Sequence, residues 1–140
     1  MHFFPGIKEP TPSATWSLDK LNDDPQYRKL DRLVETVEQG LTTCTPAEAA
    51  IWVLDWQHTS YRVRPDLMFE SGRSDWPLSP YPDGDYYIYL AEDFTFGSFG
   101  HPWEHTLCLF GTPLLDAAED SVNRILGPPV RRDGQPTHAG

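Results

Sequence analysis

The sequence predicts an α+β domain in which an antiparallel sheet of three to four strands carries about three helices on one face. Two observations lead there. Strand-like segments cluster between residues 61 and 110, and segments with helical periodicity lie on either side of them. Size is the third: 140 residues, 39% of them apolar and 13% aromatic, supply one core and are too few for two well-packed ones.

Residues 1–24 hold Pro5, Gly6, Pro10 and Pro12 and no periodic apolar pattern, so they read as an extended N-terminal arm whose Phe3, Phe4 and Trp16 dock on the core. The single domain is expected over residues 25–132. Its first helix opens with Asp24 as cap and Pro25 at the first helical position, carries Tyr27, Leu30, Val34, Val37 and Leu41 at helical spacing, and stops near Gly40. Thr45-Pro46-Ala47-Glu48 then has the form of a capping box, which starts a second, largely buried helix over residues 46–57.

Tyr61-Arg62-Val63-Arg64-Pro65 alternates apolar and basic residues as a strand does. Residues 66–84, with three prolines and two glycines, form a long loop of the kind that often carries function. Asp85 to Ala91 is a strand rich in aromatic and β-branched residues, Glu92-Asp93 a turn, residues 94–100 an irregular or bulged strand, and Thr106 to Phe110 the last strand. Thr112 and Pro113 open the closing helix, whose stripe is Leu114, Leu115, Ala118, Val122, Ile125 and Leu126, and Gly127-Pro128-Pro129 ends it. Residues 133–140 read as a flexible tail.

Composition narrows the function. Lys and Arg number 11 against 21 Asp and Glu, a net charge of −10 that disfavours a polyanion, so no nucleic-acid partner is expected. No apolar run approaches the roughly 20 residues of a membrane span, and residues 1–6 lack the basic and apolar regions of a secretory signal, so a cytoplasmic, soluble protein is expected. Cys44 and Cys108 read as buried free thiols.

His101-Pro102-Trp103-Glu104-His105 matches the H-x-x-E-H zinc pattern, which needs both histidines on one helical face. Gly100 and Pro102 flank His101 and a strand follows, so no metal and no cofactor is expected. Two readings remain: a structural loop anchored by Trp103, or a polar binding site in which His101, Trp103 and Glu104 face the 66–84 loop. Asp83 and Asp85 lack the remaining ligands of a calcium loop. Tyr87 and Tyr89 share one strand face, either as core or as an exposed recognition pair. No Lys or Arg falls between Arg73 and Arg124, whereas Asp75, Asp83, Asp85, Glu92, Asp93, Glu104, Asp116, Glu119 and Asp120 do, so the C-terminal half reads as an acidic surface.

Taken together, Trp52 to Tyr61, Tyr81-Pro82-Asp83-Gly84-Asp85-Tyr86-Tyr87 and Phe99-Gly100-His101-Pro102-Trp103-Glu104 resemble an uncharacterised bacterial family common in actinomycetes, domain of unknown function 2716. The resemblance covers roughly residues 41–132 and implies no activity. The function expected from the residues is therefore a binding or interaction protein that meets a partner with a basic surface, as an immunity or antitoxin-like inhibitor would, with catalysis the less favoured reading. The alternative is a small enzyme or small-molecule-binding protein with a pocket between loop 66–84 and segment 100–105. The candidate binding residues are Asp83, Asp85, Tyr87, His101, Trp103 and Glu104.

Overall fold

The computed structural model describes residues 9–23, 28–55, 61–65, 87–102 and 104–137. The strands are β1 (Ser13–Ser17), β2 (Ile51–Asp55), β3 (Tyr61–Val63), β4 (Tyr87–Ala91), β5 (Gly97–His101), β6 (Thr106–Phe110), β7 (Arg131–Arg132) and β8 (Gln135–Pro136). Among the described residues the helices are α1 (Arg28–Cys44) and α2 (Thr112–Leu126), with a 3-10 turn over Asp19–Asp23. The sheet is antiparallel, ordered β3-β2-β4-β5-β6-β1-β7-β8. The α+β class therefore stands, and among the described residues the sheet has eight strands rather than three to four, with two α-helices packed on it where about three were expected.

Both helices lie on one face. Leu33, Val37 and Leu41 of α1 and Leu114, Ala118 and Val122 of α2 close on Trp16, Ile51, Val53, Tyr89, Leu107 and Leu109, all fully or almost fully buried. The reverse face, which carries no helix among the described residues, holds a second small cluster of Phe99, Cys108 and Ile88. Strand alternation produces this division, because β4, β5 and β6 send successive side chains to opposite faces.

The expected helix over residues 46–57 is corrected by β2. Thr45 closes α1 instead of capping a new helix: its Oγ1 donates to the Leu41 carbonyl at 2.7 Å and its N–H to the same oxygen at 3.2 Å. The following apolar run alternates, with Ile51 and Val53 buried and Trp52 37% exposed between them. Short apolar runs fit a strand or a buried helix equally well, and cross-strand partners on both sides decide for the strand. Residues 56–60 and the 66–84 loop lie outside the described residues.

Gly40 is not a helix stop. It lies inside α1 where the two helices touch, and a Cβ there would meet Leu114 Cδ1 at 3.0 Å and Ala118 Cβ at 3.1 Å. Gly40→Val is expected to destabilise the protein by about 1–3 kcal/mol through overpacking, read as a lower urea midpoint.

The stretch expected as an arm contributes β1, which sits between β6 and β7 with Ala14, Trp16 and Leu18 fully buried. The expected tail contributes β8. Asp133 and Gly134, both at positive φ (55° and 80°), turn β7 back onto β8, and Asp133 Oδ1 accepts from the Ser13 N–H at 2.9 Å. At α2 the cap residue is Gly111 rather than Thr112, with no side-chain cap bond, while the buried stripe is the expected one.

Candidate functional site

His101 ends β5, and the chain turns through Pro102, Glu104 and His105 into β6. The H-x-x-E-H spacing thus lies across a hairpin and not along a helix. His105 adopts a φ of 60°, its N–H donates to the His101 carbonyl at 2.9 Å, and its Nδ1 lies 3.0 Å from Asp19 Oδ1. His101 Nδ1 accepts from the Glu104 backbone N–H at 3.0 Å. The two Nδ1 atoms therefore serve separate partners, and no group of three or more metal-ligating side chains forms among the described residues.

Glu104 and Glu9 share one cation. Arg131, on β7, bonds both Glu9 oxygens through Nε (3.0 Å) and Nη2 (2.7 Å), and reaches Glu104 through Nη1 (3.1 Å) and Nη2. Thr106 Oγ1 donates to Glu104 Oε1 at 2.7 Å. The guanidinium and this hydroxyl hold the Glu104 carboxyl below its usual range, against the opposing effect of burial. Burial lowers His101, outweighing the pull of Glu104, so its ring is neutral at pH 7.

This cluster borders a cavity of about 170 Å³ on the reverse sheet face, lined by Glu9, Pro10, Ile88, Leu90, Phe99, Cys108 and Phe110. Phe99 meets His101 edge to face, ring centres 5.9 Å apart. At the opposite end of β4 and β5 lies a wider cleft of about 330 Å³, between the end of α1, residues 45–51, the β4–β5 turn and Pro113. Glu92, Asp93, Thr95 and Phe96 line its turn side, and among the described residues no Lys, Arg or His lines it. Between them Phe94, at φ 63°, is 70% exposed.

A model of the family described as protein of unknown function (DUF2716) matches residues 1–115. The chain belongs to this family. The match takes in the N-terminal residues that the motif resemblance left out, β1 among them, and stops inside α2. The Bacillus subtilis (strain 168) protein called "Uncharacterized protein YxiI" is 37% identical over 92 residues, covering 65% of this chain and 57% of that protein. The chain thus aligns with little more than half of that relative's length. No solved structure matches it.

In this DUF2716 member the structure brings His101 and Glu104 together, as their spacing suggested, and adds Glu9, Arg131 and Thr106. Tyr87 goes elsewhere: it packs on the margin of the helix-side core beside fully buried Tyr89, whereas His101 points to the reverse face. Asp83, Asp85 and Trp103 lie outside the described residues. Arg131 and Glu9 escaped sequence reading because they are 122 residues apart and neither belongs to a local motif. Phe94 left a weak signal, an aromatic directly after an acidic turn.

The acidic run is partly compensated in the fold. Arg62 pairs with Glu92 at 2.9 Å, Arg132 with Glu119 at 2.8 Å, and Arg131 with Glu104. The remaining chemistry is quiet. Burial pushes the Cys108 thiol up to about 11, which removes it as a neutral-pH nucleophile, and also raises Cys44. Among the described residues no helix is long and apolar enough to cross a membrane.

Proposed function

We propose that this chain is a cytoplasmic binding protein that engages a protein partner with a basic surface, in the manner of an immunity or antitoxin-like inhibitor, rather than an enzyme. Phe94 carries the reading. A bulky side chain at positive φ costs on the order of 1 kcal/mol or more, and here it holds an aromatic ring out in water. Such a ring beside a concave cleft has the form of an interface anchor, and Asp93 on the cleft's turn side suits a cationic surface, Glu92 being already paired with Arg62. The Glu104 carboxyl held low by Arg131 and the Cys108 thiol pushed up by burial support binding over catalysis, since neither is poised to exchange a proton or attack near pH 7.

The test is native mass spectrometry of the chain isolated from its host in mild salt, followed by affinity measurement with the recovered partner. Phe94→Gly is expected to keep or slightly raise stability, because glycine accepts positive φ, while weakening the complex about thirtyfold or more. Raising salt should weaken it further. A complex indifferent to both changes, or a chain that travels alone with a bound metal or small molecule, would overturn this reading.

A further inference from the structure

Two cation-attracting features border the cleft beside Phe94. One is the Asp93 carboxylate on its turn side. The other is the carbonyl end of α1, which stops at Cys44 in the cleft wall with no Lys, Arg or His in its last turn. We infer that the cleft receives one arginine side chain of the partner, with its guanidinium at Asp93 and the α1 terminus and its aliphatic stem on the apolar lining. The inference rests on the protein-binding role proposed above and names the group by which the basic partner is recognised.

Asp93 is exposed, and the Thr95 N–H and hydroxyl both bond its Oδ1, at 3.2 Å and 2.7 Å, which leaves Oδ2 for an incoming donor. Its neighbour Glu92 is engaged by Arg62 through both oxygens, at 2.9 Å and 3.1 Å. Among the described residues no cationic side chain lines the cleft. Pro113, the α2 residue in its wall, has no N–H to oppose a positive charge. Size points the same way: about 330 Å³ lies at the lower end of the roughly 300–1,000 Å³ of ligand pockets and suits a single long side chain. Ala49, Ala50, Ala91 and Phe96 give a methylene stem apolar surface to lie on. Acceptors on two different walls favour arginine over lysine, because a planar guanidinium donates five N–H groups in several directions at once.

The test uses three capped tripeptides with glycine on either side of arginine, its neutral isostere citrulline, or glutamate, titrated into the whole chain and followed by backbone amide shifts over residues 44–51 and 91–96. The arginine peptide is expected to bind about tenfold or more tightly than the citrulline peptide, as a charged hydrogen bond allows, and the glutamate peptide not to bind. Asp93→Asn keeps an oxygen for Thr95 and should bring the arginine peptide down to the citrulline level. Should that variant fail to fold, the wild-type chain suffices: raising salt must weaken the arginine peptide and leave the citrulline peptide unchanged. No shift with any peptide, equal affinity for arginine and citrulline, or an arginine affinity indifferent to salt would overturn the site. A partner complex that Phe94→Gly weakens, found beside such a result, would leave the proposed function standing. A chain that prefers the arginine peptide yet yields no partner would keep the site and overturn only that function.

Discussion

Replacing Trp16 with alanine is expected to destabilise the protein by about 3–5 kcal/mol, the usual cost of deleting a large buried aromatic. Trp16 is fully buried on β1, facing both helices, and its Nε1 donates to Asn123 Oδ1 on α2 at 2.8 Å. The substitution removes apolar contact, opens a cavity between sheet and helix, and leaves a half-buried amide short of a donor. Tm should fall by roughly 10–20 °C for a chain of this size. Trp16→Phe separates the two contributions, because it keeps most of the packing and should cost about 1–2 kcal/mol, mainly for the lost hydrogen bond. A loss under about 1 kcal/mol for Trp16→Ala in a urea titration would show β1 to be an accessory strand.

Arg131→Ala is expected to cost about 2–3 kcal/mol at pH 7, less than a fully buried pair because Glu104 is 39% exposed. The variant leaves the Glu9 and Glu104 carboxylates facing each other without their shared cation. Arg131→Lys should recover only part of the loss, since an ammonium cannot make two forked contacts at once. The effect carries a pH signature. Arg131 lowers the Glu104 carboxyl in the folded state, so the pairing stabilises at pH values above the ordinary glutamate range and is lost as pH falls through the lowered value. Wild type and Arg131→Ala should therefore differ most near neutrality and converge as pH falls below the ordinary glutamate range. A gap that is constant from pH 7 to pH 3 in urea unfolding would mean that Arg131 acts through packing alone.

Much of the fold can be read locally, and the failures share a cause. The α2 stripe from Leu114 to Leu126 is legible because its apolar residues repeat at a period of 3.6 on one side, and the strand from Thr106 to Phe110 because a short apolar run ends at Gly111. Ile51 to Leu54 is apolar on both sides, so no period shows, and only the flanking β3 and β4 reveal a strand. β1 hides for the opposite reason. Its apolar residues alternate, but Ser13 and Thr15 between them read as loop while being fully buried on the reverse face. Asp133-Gly134 is a hairpin signal in its own right, obscured by the polar residues around it.

The candidate site divides in the same way. His101 and Glu104 are adjacent enough in sequence to be suspected together, and the hairpin joins them by a 3.0 Å bond. Their environment is not local: Arg131 comes from 27 residues beyond Glu104, and Glu9 from 122 before Arg131. Short-range periodicity, turn chemistry and composition determined the α+β class, the closing helix, four strand segments and the excess of acid. Only tertiary structure decided which strands are neighbours, which sheet face the helices cover and which carboxylates share a guanidinium. The physical reason is that a side chain's period is set by its own backbone, whereas its partners are set by contacts between residues far apart in the chain, whose closure leaves no mark in the local pattern.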